Sequence, residues 1–474
     1  MTQEIFGEKL NRQSMPEVIY DRNPGYVELY WKAWELAAEH IYTHPGMPQE
    51  RYMSEGCRAG RIWIWDTCFM VQFCKYARDS FPGIVSLENF YAPLHDRQPT
   101  TMPIHHIDNP PLFAWLEYEY ARFTGDTSRL HRILVDRQYL QKHYYFLENV
   151  KVGYQDPAGC LQNTLQKNTP FGYLWSPNAS GMDNTPRGDR YIYWMDILAQ
   201  QALSALYISR LAGWLGEEEI RQEFSAEYQV KKAHLNHYYF DEDHGYYTDI
   251  SATVHTPTGV LTPASFWPLM AEAAPAERAQ RQIQTLLDPQ KLGGKYPLPS
   301  VSRDDPGFDP AGRYWCGGIW LPVVYMTVKS LEKYSQPELA AEIAERIIDL
   351  QYETYRQVEP HTIWECYSPS APLPSTIKRP GAICRKDFCG WSALGPVSLM
   401  IENVIGLYDA DGMNRKLYLR RRKQGRHGVK NFRFGDVTAD IVITDSQIEV
   451  RSDREFTLVV NGTEHRCSAG TTLL

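Results

Sequence analysis

Apolar side chains recur every three or four residues through most of the chain, the spacing of a helix that packs one face against a core. From Asn23 onward they occupy positions 26, 29, 30, 33, 36, 37 and 41. The same pattern predicts further helices near residues 65–79, 84–96, 110–124, 127–149, 190–213, 216–238, 262–272, 276–287, 315–333, 336–356 and 389–409. Short loops join several of these segments in pairs. About a dozen paired helices predict six helical hairpins that close into a toroid.

The pattern changes from helical spacing to alternation after about Asp409. Alternating apolar runs follow at residues 441–443, 448–450 and 456–460, and Asn461-Gly462 is typical of a hairpin turn. The first 22 residues are polar and contain proline, which predicts an extended arm. The expected fold is therefore all-α: an N-terminal arm over residues 1–22, an (α/α)6 toroid over residues 23–411, and a small β-rich module over residues 412–474.

Composition narrows the classes of function. Aromatic residues make up 13% of the 474 residues, with 31 Tyr and 13 Trp. Flat aromatic faces stack on sugar rings, although a tyrosine-rich helical core would give the same count. The net charge of −8 is opposite to that of a protein held by phosphate contacts, so no nucleic-acid partner is expected.

Cysteine usage and the N-terminal sequence bear on the cellular compartment. The nine cysteines are scattered and contain no Cys-x-x-Cys pair, which argues against a disulfide framework or a zinc knuckle. No apolar run approaches the ~18 residues of a membrane span, and the first residues lack an apolar signal core. These features predict a cytoplasmic protein with no membrane partner.

The first cluster of candidate functional residues is Trp63-Ile-Trp65-Asp66. An aspartate at a helix start is commonly an N-cap, and that role would explain Asp66 by itself. With two tryptophans beside it, Asp66 is also suited to bind vicinal sugar hydroxyls.

The second cluster runs from Trp175 to Arg187 and contains Asp183 and Asn184. An aspartate between glycine and proline is a common turn former, yet here tryptophan, asparagine and arginine surround one carboxyl group. Burial by Trp175 would raise the pKa of Asp183, whereas a nearby Arg187 would lower it. A glycosidase acid needs the raised pKa.

Two later segments add aromatic residues and a second carboxylate. Tyr314, Trp315 and Trp320 surround a glycine pair, which a tightly packed helix start would also explain. Glu365 lies between aromatic neighbours in a proline-rich loop far along the chain. The aromatic candidates of this loop are Trp364, Tyr367 and Trp391.

Metal and cofactor motifs are weak or missing in the sequence. His105-His106-x-Asp108 resembles a ligand cluster, but adjacent histidines on one element point different ways and no His-Glu-x-x-His occurs. His106 is instead placed among the substrate-binding candidates. The sequence also lacks a P-loop, a Gly-x-Gly-x-x-Gly fingerprint and a Gly-x-Ser-x-Gly elbow. We therefore expect neither a metal nor a cofactor.

Taken in order, these motifs resemble the trehalase-like clan of (α/α)6-barrel glycoside hydrolases. The resemblance is closest to glycoside hydrolase family 63 and the bacterial mannosylglycerate- and glucosylglycerate-hydrolase-like proteins. It is carried by Trp65-Asp-Thr, Asn109-Pro-Pro-Leu-Phe-Ala-Trp115, Ser180-Gly-Met-Asp-Asn-Thr-Pro-Arg187, Arg313-Tyr-Trp-Cys-Gly-Gly-Ile-Trp320 and Trp364-Glu-Cys-Tyr367. The Ser-Gly-Met-Asp-Asn element is the most specific of these.

The resemblance implies a role for each carboxylate. It makes Asp183 the general acid and Glu365 the general base, with residues 23–411 as the catalytic domain and the β-rich module without activity of its own. Two departures leave the glycoside open. Cys316-Gly317-Gly318 stands where the family usually has Arg-Gly-Pro, and Asn109 stands where it usually has Gln.

The function expected from sequence is an inverting glycoside hydrolase that acts on a small α-linked glycoside, either a disaccharide or a glycosylglycerate-like compound. The only partner expected is this carbohydrate substrate, bound by a monomer or homo-oligomer. Two alternatives remain. One is an epimerase or phosphorylase on the same toroid, since epimerases use histidine pairs and His105, His106 and His361 are present. The other is a non-catalytic sugar-binding protein.

Overall fold

The computed structural model describes residues 4–56, 60–154, 163–168, 170–188, 191–379, 381–422 and 425–474. Its α-helices are α1 Pro24–Glu39, α2 Ile64–Cys74, α3 Glu88–His95, α4 Phe113–Thr124, α5 Thr127–His131, α6 Tyr139–Asn149, α7 Pro177–Ser180, α8 Met195–Leu215, α9 Glu218–Tyr238, α10 Trp267–Met270, α11 Ala276–Ile283, α12 Leu321–Lys333 and α13 Pro337–Gln357. Two segments are π-helical, Arg132–Asp136 and Gly395–Ile405. Short 3₁₀ turns occupy Arg12–Ser14, Lys75–Ala77, Gly83–Leu87, Pro263–Phe266, Gln284–Leu286, Tyr314–Cys316 and Ser392–Leu394.

The strands are mostly short in the helical part and longer near the C-terminal end. They are β1 Ile5–Phe6, β2 Glu17–Tyr20, β3 Ile41–Thr43, β4 Arg51–Met53, β5 Ile62–Trp63, β6 Ile104–His105, β7 Gln166–Asn168, β8 Gly172–Leu174, β9 Ile192–Tyr193, β10 Phe240–Asp241, β11 Tyr246–Tyr247, β12 Ile250–Ser251, β13 Leu407–Asp411, β14 Lys416–Leu419, β15 His427–Phe434, β16 Val437–Ile443, β17 Ile448–Ser452, β18 Phe456–Val460, β19 Thr463–Cys467 and β20 Gly470–Leu473.

The helices fall into two kinds according to burial. Every residue of α2 and of the π-helical segment Gly395–Ile405 is buried, so both are surrounded by protein on all sides. In α9, by contrast, only Phe224, Tyr228, Lys231 and Leu235 are buried, and these lie three or four residues apart on one face. A helix that is apolar all round occupies the interior, whereas a one-sided helix covers it.

The contacts among the inner helices follow a closed order. Helix α2 contacts α4, α4 contacts α8, α8 contacts α10, and α10 contacts α12. The segment Gly395–Ile405 and the turn before it contact α12 on one side and α2 on the other, so the order returns to its start. The outer helices α9 and α13 pack on α8 and α12, to which short loops join them. The predicted helical body with paired helices is therefore present.

The C-terminal part is β-rich, as predicted. One sheet has the order β13-β14-β18-β19, and the other has the order β2-β15-β16-β17-β20. Buried and part-exposed residues alternate along β16, which matches a strand with one face on a core. The first strand of this part begins at Leu407, five residues before the predicted boundary at 412.

Part of the predicted N-terminal arm belongs to this C-terminal sheet. Strand β2 pairs antiparallel with β15, from Glu17 opposite Lys430 to Tyr20 opposite His427. Three of its four residues are buried. The sequence analysis predicts β structure only after residue 411. It does not predict β2, because a single four-residue strand is too short a pattern to recognise.

The sheets are fastened to the end of α4. The Arg122 guanidinium donates two hydrogen bonds to the Asp409 carboxylate, at 2.9 and 2.7 Å. The backbone N–H groups of Gly412 and Gly435 donate to the carbonyl groups of Arg122 and Phe123.

None of the described helices combines the length and apolar character needed to cross a bilayer.

Candidate active site

Two adjoining cavities lie where the inner helices begin. The inner cavity has a volume of about 280 Å³ and the outer cavity about 350 Å³. Asp183, Tyr314 and Arg385 line both, so the two cavities lie side by side. The predicted residues that line the inner cavity are Trp63, Trp65, Asp66, His106, Asp183, Tyr314, Trp315, Trp320 and Trp391. Glu365 lines the outer cavity.

The aromatic wall of the inner cavity comes from residues at the starts of inner helices. Trp65 lies in the first turn of α2, and Trp320 is the residue immediately before α12. The rings of Trp315 and Trp320 are stacked with centroids 4.1 Å apart and planes 7° from parallel. Trp391 lies next to Trp320, at 5.7 Å. These rings give the cavity flat apolar faces of the kind that pack on a sugar ring.

Asp183 lies in the turns that follow α7 and faces both cavities. Its side chain is 36% exposed, and Oδ2 lies 3.4 Å from Lys378 Nζ. Burial raises the pKa of Asp183, Lys378 lowers it, and the nearby Glu365 raises it again, with a net shift upward. The raised pKa that the sequence required of a proton donor is therefore present, although the cation beside the carboxyl group is Lys378.

Glu365 is buried, with a side chain 3% exposed, and donors hold both of its oxygens. Oε1 accepts hydrogen bonds from the Tyr314 hydroxyl at 3.0 Å and from Arg385 Nη2 at 3.2 Å. Oε2 accepts one from the Arg385 backbone N–H at 3.1 Å. These donors fix the orientation of the Glu365 carboxyl group. The Trp391 indole N–H donates to the Glu365 backbone carbonyl at 2.9 Å, which fixes the main chain as well.

A second pair of carboxyl groups lies in the inner cavity. Asp66 and Glu55 are 7% and 8% exposed. Burial, and next the charge of Glu55, raise the pKa of Asp66 well above its ordinary value. Arg385 Nη2 donates to Glu55 Oε2 at 3.1 Å as well as to Glu365, so one guanidinium joins the inner carboxyl pair to the outer carboxylate.

The sequence prediction for Arg187 requires correction. Its guanidinium is buried, with a side chain 1% exposed, and donates to both Asp249 and Asp196. It also packs over the Trp194 ring at 4.5 Å. Its nitrogens are engaged inside the protein, so Arg187 neither lines a cavity nor faces Asp183.

Four other predicted residues lie outside the two cavity linings: Trp175, Asn184, Trp364 and Tyr367. Trp175 is buried edge-on against Trp194. The Asn184 side chain accepts a hydrogen bond from the backbone N–H of Trp315 at 2.9 Å and donates one to the backbone carbonyl of Arg313 at 2.9 Å. It therefore holds the segment that carries Trp315 in place. Tyr367 is buried, and its hydroxyl accepts a hydrogen bond from the backbone N–H of Trp364.

The two adjacent histidines form part of the lining of the inner cavity. His105 and His106 have ring centroids 4.1 Å apart, and both line the inner cavity. Burial lowers the pKa of each to about 4, so both rings are neutral near pH 7. No group of three or more metal-ligating side chains occurs among the described residues.

Several cavity residues were not among the sequence candidates. Glu55, Asn178 and Arg385 line the inner cavity, and Lys378 and Arg379 line the outer one. The two outer cations belong to the same proline-rich loop as Glu365. Glu55 comes from another region of the chain, and no local pattern links it to Glu365. Only the folded arrangement brings these charges together.

Comparison with known proteins gives several relatives. A protein of Borreliella burgdorferi, described as uncharacterized, is 24% identical over 424 residues, which cover 84% of this chain and 83% of that protein. A probable mannosyl-oligosaccharide glucosidase of Schizosaccharomyces pombe is 26% identical over 428 residues, which cover 77% of this chain and about half (51%) of that protein.

A crystal structure of the family 63 mannosylglycerate hydrolase from Thermus thermophilus, in complex with Tris, superposes with a TM-score of 0.60 at 18% identity. It covers 78% of this chain and 99% of that one, so the two share a fold. The family model for the mannosylglycerate hydrolase MGH1-like glycoside hydrolase domain matches residues 75–374. The resemblance inferred from the sequence motifs is thereby confirmed, and the chain belongs to the mannosylglycerate hydrolase MGH1-like glycoside hydrolase family.

Proposed function

We propose that this chain is an inverting glycoside hydrolase that cleaves a small α-linked glycoside, with Asp183 as general acid and Glu365 as general base. One observation carries the proposal. The two carboxyl groups come from distant segments and line the same outer cavity; burial raises the pKa of Asp183, whereas hydrogen-bond donors hold Glu365. Acid–base cleavage of a glycosidic bond needs two carboxyl groups at one site, one of which has a raised pKa so that it can donate a proton.

The roles follow from these environments. Burial favours the protonated form of Asp183, which then gives its proton to the leaving oxygen. Glu365 receives hydrogen bonds from Tyr314 and Arg385, which hold its carboxyl group in place to accept a proton from water. Bond cleavage passes through an oxocarbenium-like transition state, and water attacks the opposite face of the sugar.

The inner cavity supports the binding of the glycosyl unit. Stacked Trp315 and Trp320 offer an apolar face, whereas Asp66 and Glu55 offer acceptors for sugar hydroxyls. His105 and His106 are neutral near pH 7 and therefore suited to hydrogen bonding without charge. A cavity of about 280 Å³ is near the lower end of the range for small-molecule sites, which favours a single sugar ring.

The outer cavity supports an anionic leaving group. It is lined by Lys378, Arg379 and Arg385, with Ile377 and Ile383 beside them. Three cations at the place of the aglycone favour a glycosylglycerate over a neutral disaccharide. The mannosylglycerate hydrolase that superposes on this chain has, by its name, a substrate of this kind.

The architecture belongs to the same proposal. The closed order of contacts among the inner helices supports an (α/α)6 toroid, with the site at the end where those helices begin. The catalytic domain would then span residues 23–411, with residues 412–474 as an inactive β-rich module. The described cysteines are all free thiols, which supports a reducing, cytoplasmic location.

Turnover of a substrate panel tests the proposal. Purified protein is incubated with α-mannosyl- and α-glucosylglycerate, the corresponding glycosylglycerols and α-linked disaccharides, and products are followed by proton NMR. We expect hydrolysis of a glycosylglycerate without added phosphate, with the first-formed sugar in the β configuration. An α-sugar formed first would contradict inversion. Strict dependence on phosphate would favour a phosphorylase, isomerised sugar an epimerase, and binding without turnover a non-catalytic protein.

Variants at the two carboxyl groups test the assigned roles. Asp183→Asn should lower kcat by at least about 10²-fold on substrates with poor leaving groups, but less on activated aryl glycosides, which need little protonation. Glu365→Gln should damage both. Glu342→Gln, at an exposed pair with Arg346, is the matched control and should leave turnover unchanged. Near-wild-type turnover of either site variant would exclude its assigned role.

A further inference from the structure

Lys378 opposes part of the upward pKa shift that burial gives Asp183. Its Nζ lies 3.4 Å from Asp183 Oδ2, and it also lies over the Tyr314 ring, 5.4 Å from the centroid. A cation at this distance stabilises the ionised carboxylate, whereas a general acid must be protonated when substrate is bound. The side chain is about half exposed, so the ammonium is free to move toward the outer cavity.

We propose that an anionic aglycone, when it binds, draws the Lys378 ammonium group away from Asp183. Without this cation beside it, the Asp183 carboxyl group holds its proton and is ready to donate it. This inference rests on the proposed function and adds to it a reason why an anionic substrate is cleaved in preference to a neutral one. Lys378 binds the aglycone and determines specificity, whereas Asp183 alone transfers the proton.

The geometry permits the exchange without a change of fold. Lys378 and Asp183 both line the outer cavity, where the leaving group is placed. An aglycone carboxylate there would compete with Asp183 for the same ammonium. It would also add a negative charge near the acid, and both effects favour the protonated form of Asp183. Binding energy from the aglycone is thus used at the reacting bond.

Other charges around Asp183 do not supply the same effect. In the outer cavity it faces Glu365, Tyr314, Arg379 and Arg385, and in the inner cavity Glu55, Asp66, His105 and His106. Arg385 is already bonded to Glu365 and Glu55. The charge of Glu365 raises the pKa of Asp183 and does not depend on Lys378 moving. Lys378 is the cation within hydrogen-bonding distance of Asp183 among the described residues.

Proton uptake on binding D-glycerate tests the exchange without turnover. Calorimetric titrations in buffers of different ionisation enthalpy, between about pH 5 and pH 8, measure the protons taken up. We expect the wild-type protein to bind glycerate with uptake of a fraction of a proton. Uptake should disappear in Asp183→Asn and fall in Lys378→Met, and glycerol should give none. Failure to bind glycerate, binding without uptake, or unchanged uptake in Lys378→Met would overturn the inference.

Kinetics on a neutral glycosylglycerol cover the case in which Lys378→Met no longer binds glycerate. For this substrate the basic limb of the kcat/KM profile reports the pKa of the free acid. The limb should move about 1 pH unit upward in Lys378→Met and stay in place in Lys378→Arg. An unmoved limb in Lys378→Met would overturn the inference. Lys295→Met, whose side chain is 73% exposed and pairs with Glu353, is the control and should match the wild type.

The two proposals fail in different ways. If the protein turns over no glycoside, or if Asp183→Asn keeps full activity, the proposed function is wrong. If turnover depends on Asp183 but proton uptake and the basic limb are insensitive to Lys378, only the exchange is wrong.

Discussion

Replacing Arg187 distinguishes a structural role from the substrate contact that its sequence position suggests. Arg187 donates to Asp249 at 2.7 and 2.6 Å and to Asp196 at 2.8 and 3.2 Å. All three side chains are at most 2% exposed. In Arg187→Met two buried carboxylates lose their cation. Removing one partner of a buried ion pair costs about 3–5 kcal/mol, so we expect a loss of about 4 kcal/mol in the free energy of unfolding.

Differential scanning calorimetry measures this loss. For 474 residues that unfold together, the entropy of unfolding is about 1 kcal/mol per degree, so Tm should fall by about 4 °C. Arg221→Met removes an exposed pair with Glu218 and is the control, for which Tm should stay unchanged. Arg187→Lys keeps the charge but not the forked geometry and should fall between the two.

The pH dependence gives a further check. Burial already raises the pKa of Asp196 above its ordinary value, against the opposing effect of Arg187, and removal of Arg187 would raise it more. A raised pKa means that the folded state binds more protons than the unfolded state, so stability falls as pH rises. The deficit of Arg187→Met should therefore be larger at pH 8 than at pH 5. An unchanged Tm together with lost activity would refute the structural role and restore the contact with substrate.

Three other perturbations test the site and the sheet. Gly181 has a φ of 83°, and an added Cβ would lie 2.8 Å from Trp65 Cδ2. Gly181→Ala should therefore displace the Trp65 ring and lower kcat/KM by about tenfold, as measured by steady-state kinetics. Arg385→Met removes a hydrogen-bond donor that holds Glu365 Oε1, so kcat should fall by about tenfold because the base is less well positioned; an unchanged kcat would show that Arg385 does not position Glu365. Deletion of residues 1–22 removes β2 and exposes the edge of β15, so Tm should fall while turnover per folded molecule is kept; loss of turnover with unchanged Tm would contradict this.

The helical body could be predicted because its pattern is local. Helices such as α9 repeat buried residues at a fixed spacing, and this spacing is visible in the sequence. The tryptophans of the inner cavity were also identified, since they lie beside carboxylates or glycines within a few residues. Strand β2 was missed because its partner β15 lies about 400 residues away, and pairing over such a distance leaves no local signal.

The errors in the site have the same origin. Arg187 is four residues from Asp183 in sequence, which suggested a shared cavity, but its guanidinium is held by Asp196 and Asp249 in the interior. The cation that Asp183 does face, Lys378, is nearly 200 residues further along the chain. Residue types and short spacings therefore point to the carboxylates as candidates, whereas the charged groups that contact them come from distant segments.

The closed order of the inner helices has a consequence for biosynthesis. Helix α2 emerges early from the ribosome, yet one of its neighbours in the ring, Gly395–Ile405, is made more than 300 residues later. Until then the apolar side of α2 has no permanent cover on that flank. Strand β2 waits still longer, for β15. While the chain is being synthesised, apolar side chains of α2 and β2 therefore stay exposed for a long time. Chaperone binding or rapid synthesis would protect the growing chain from aggregation during this period.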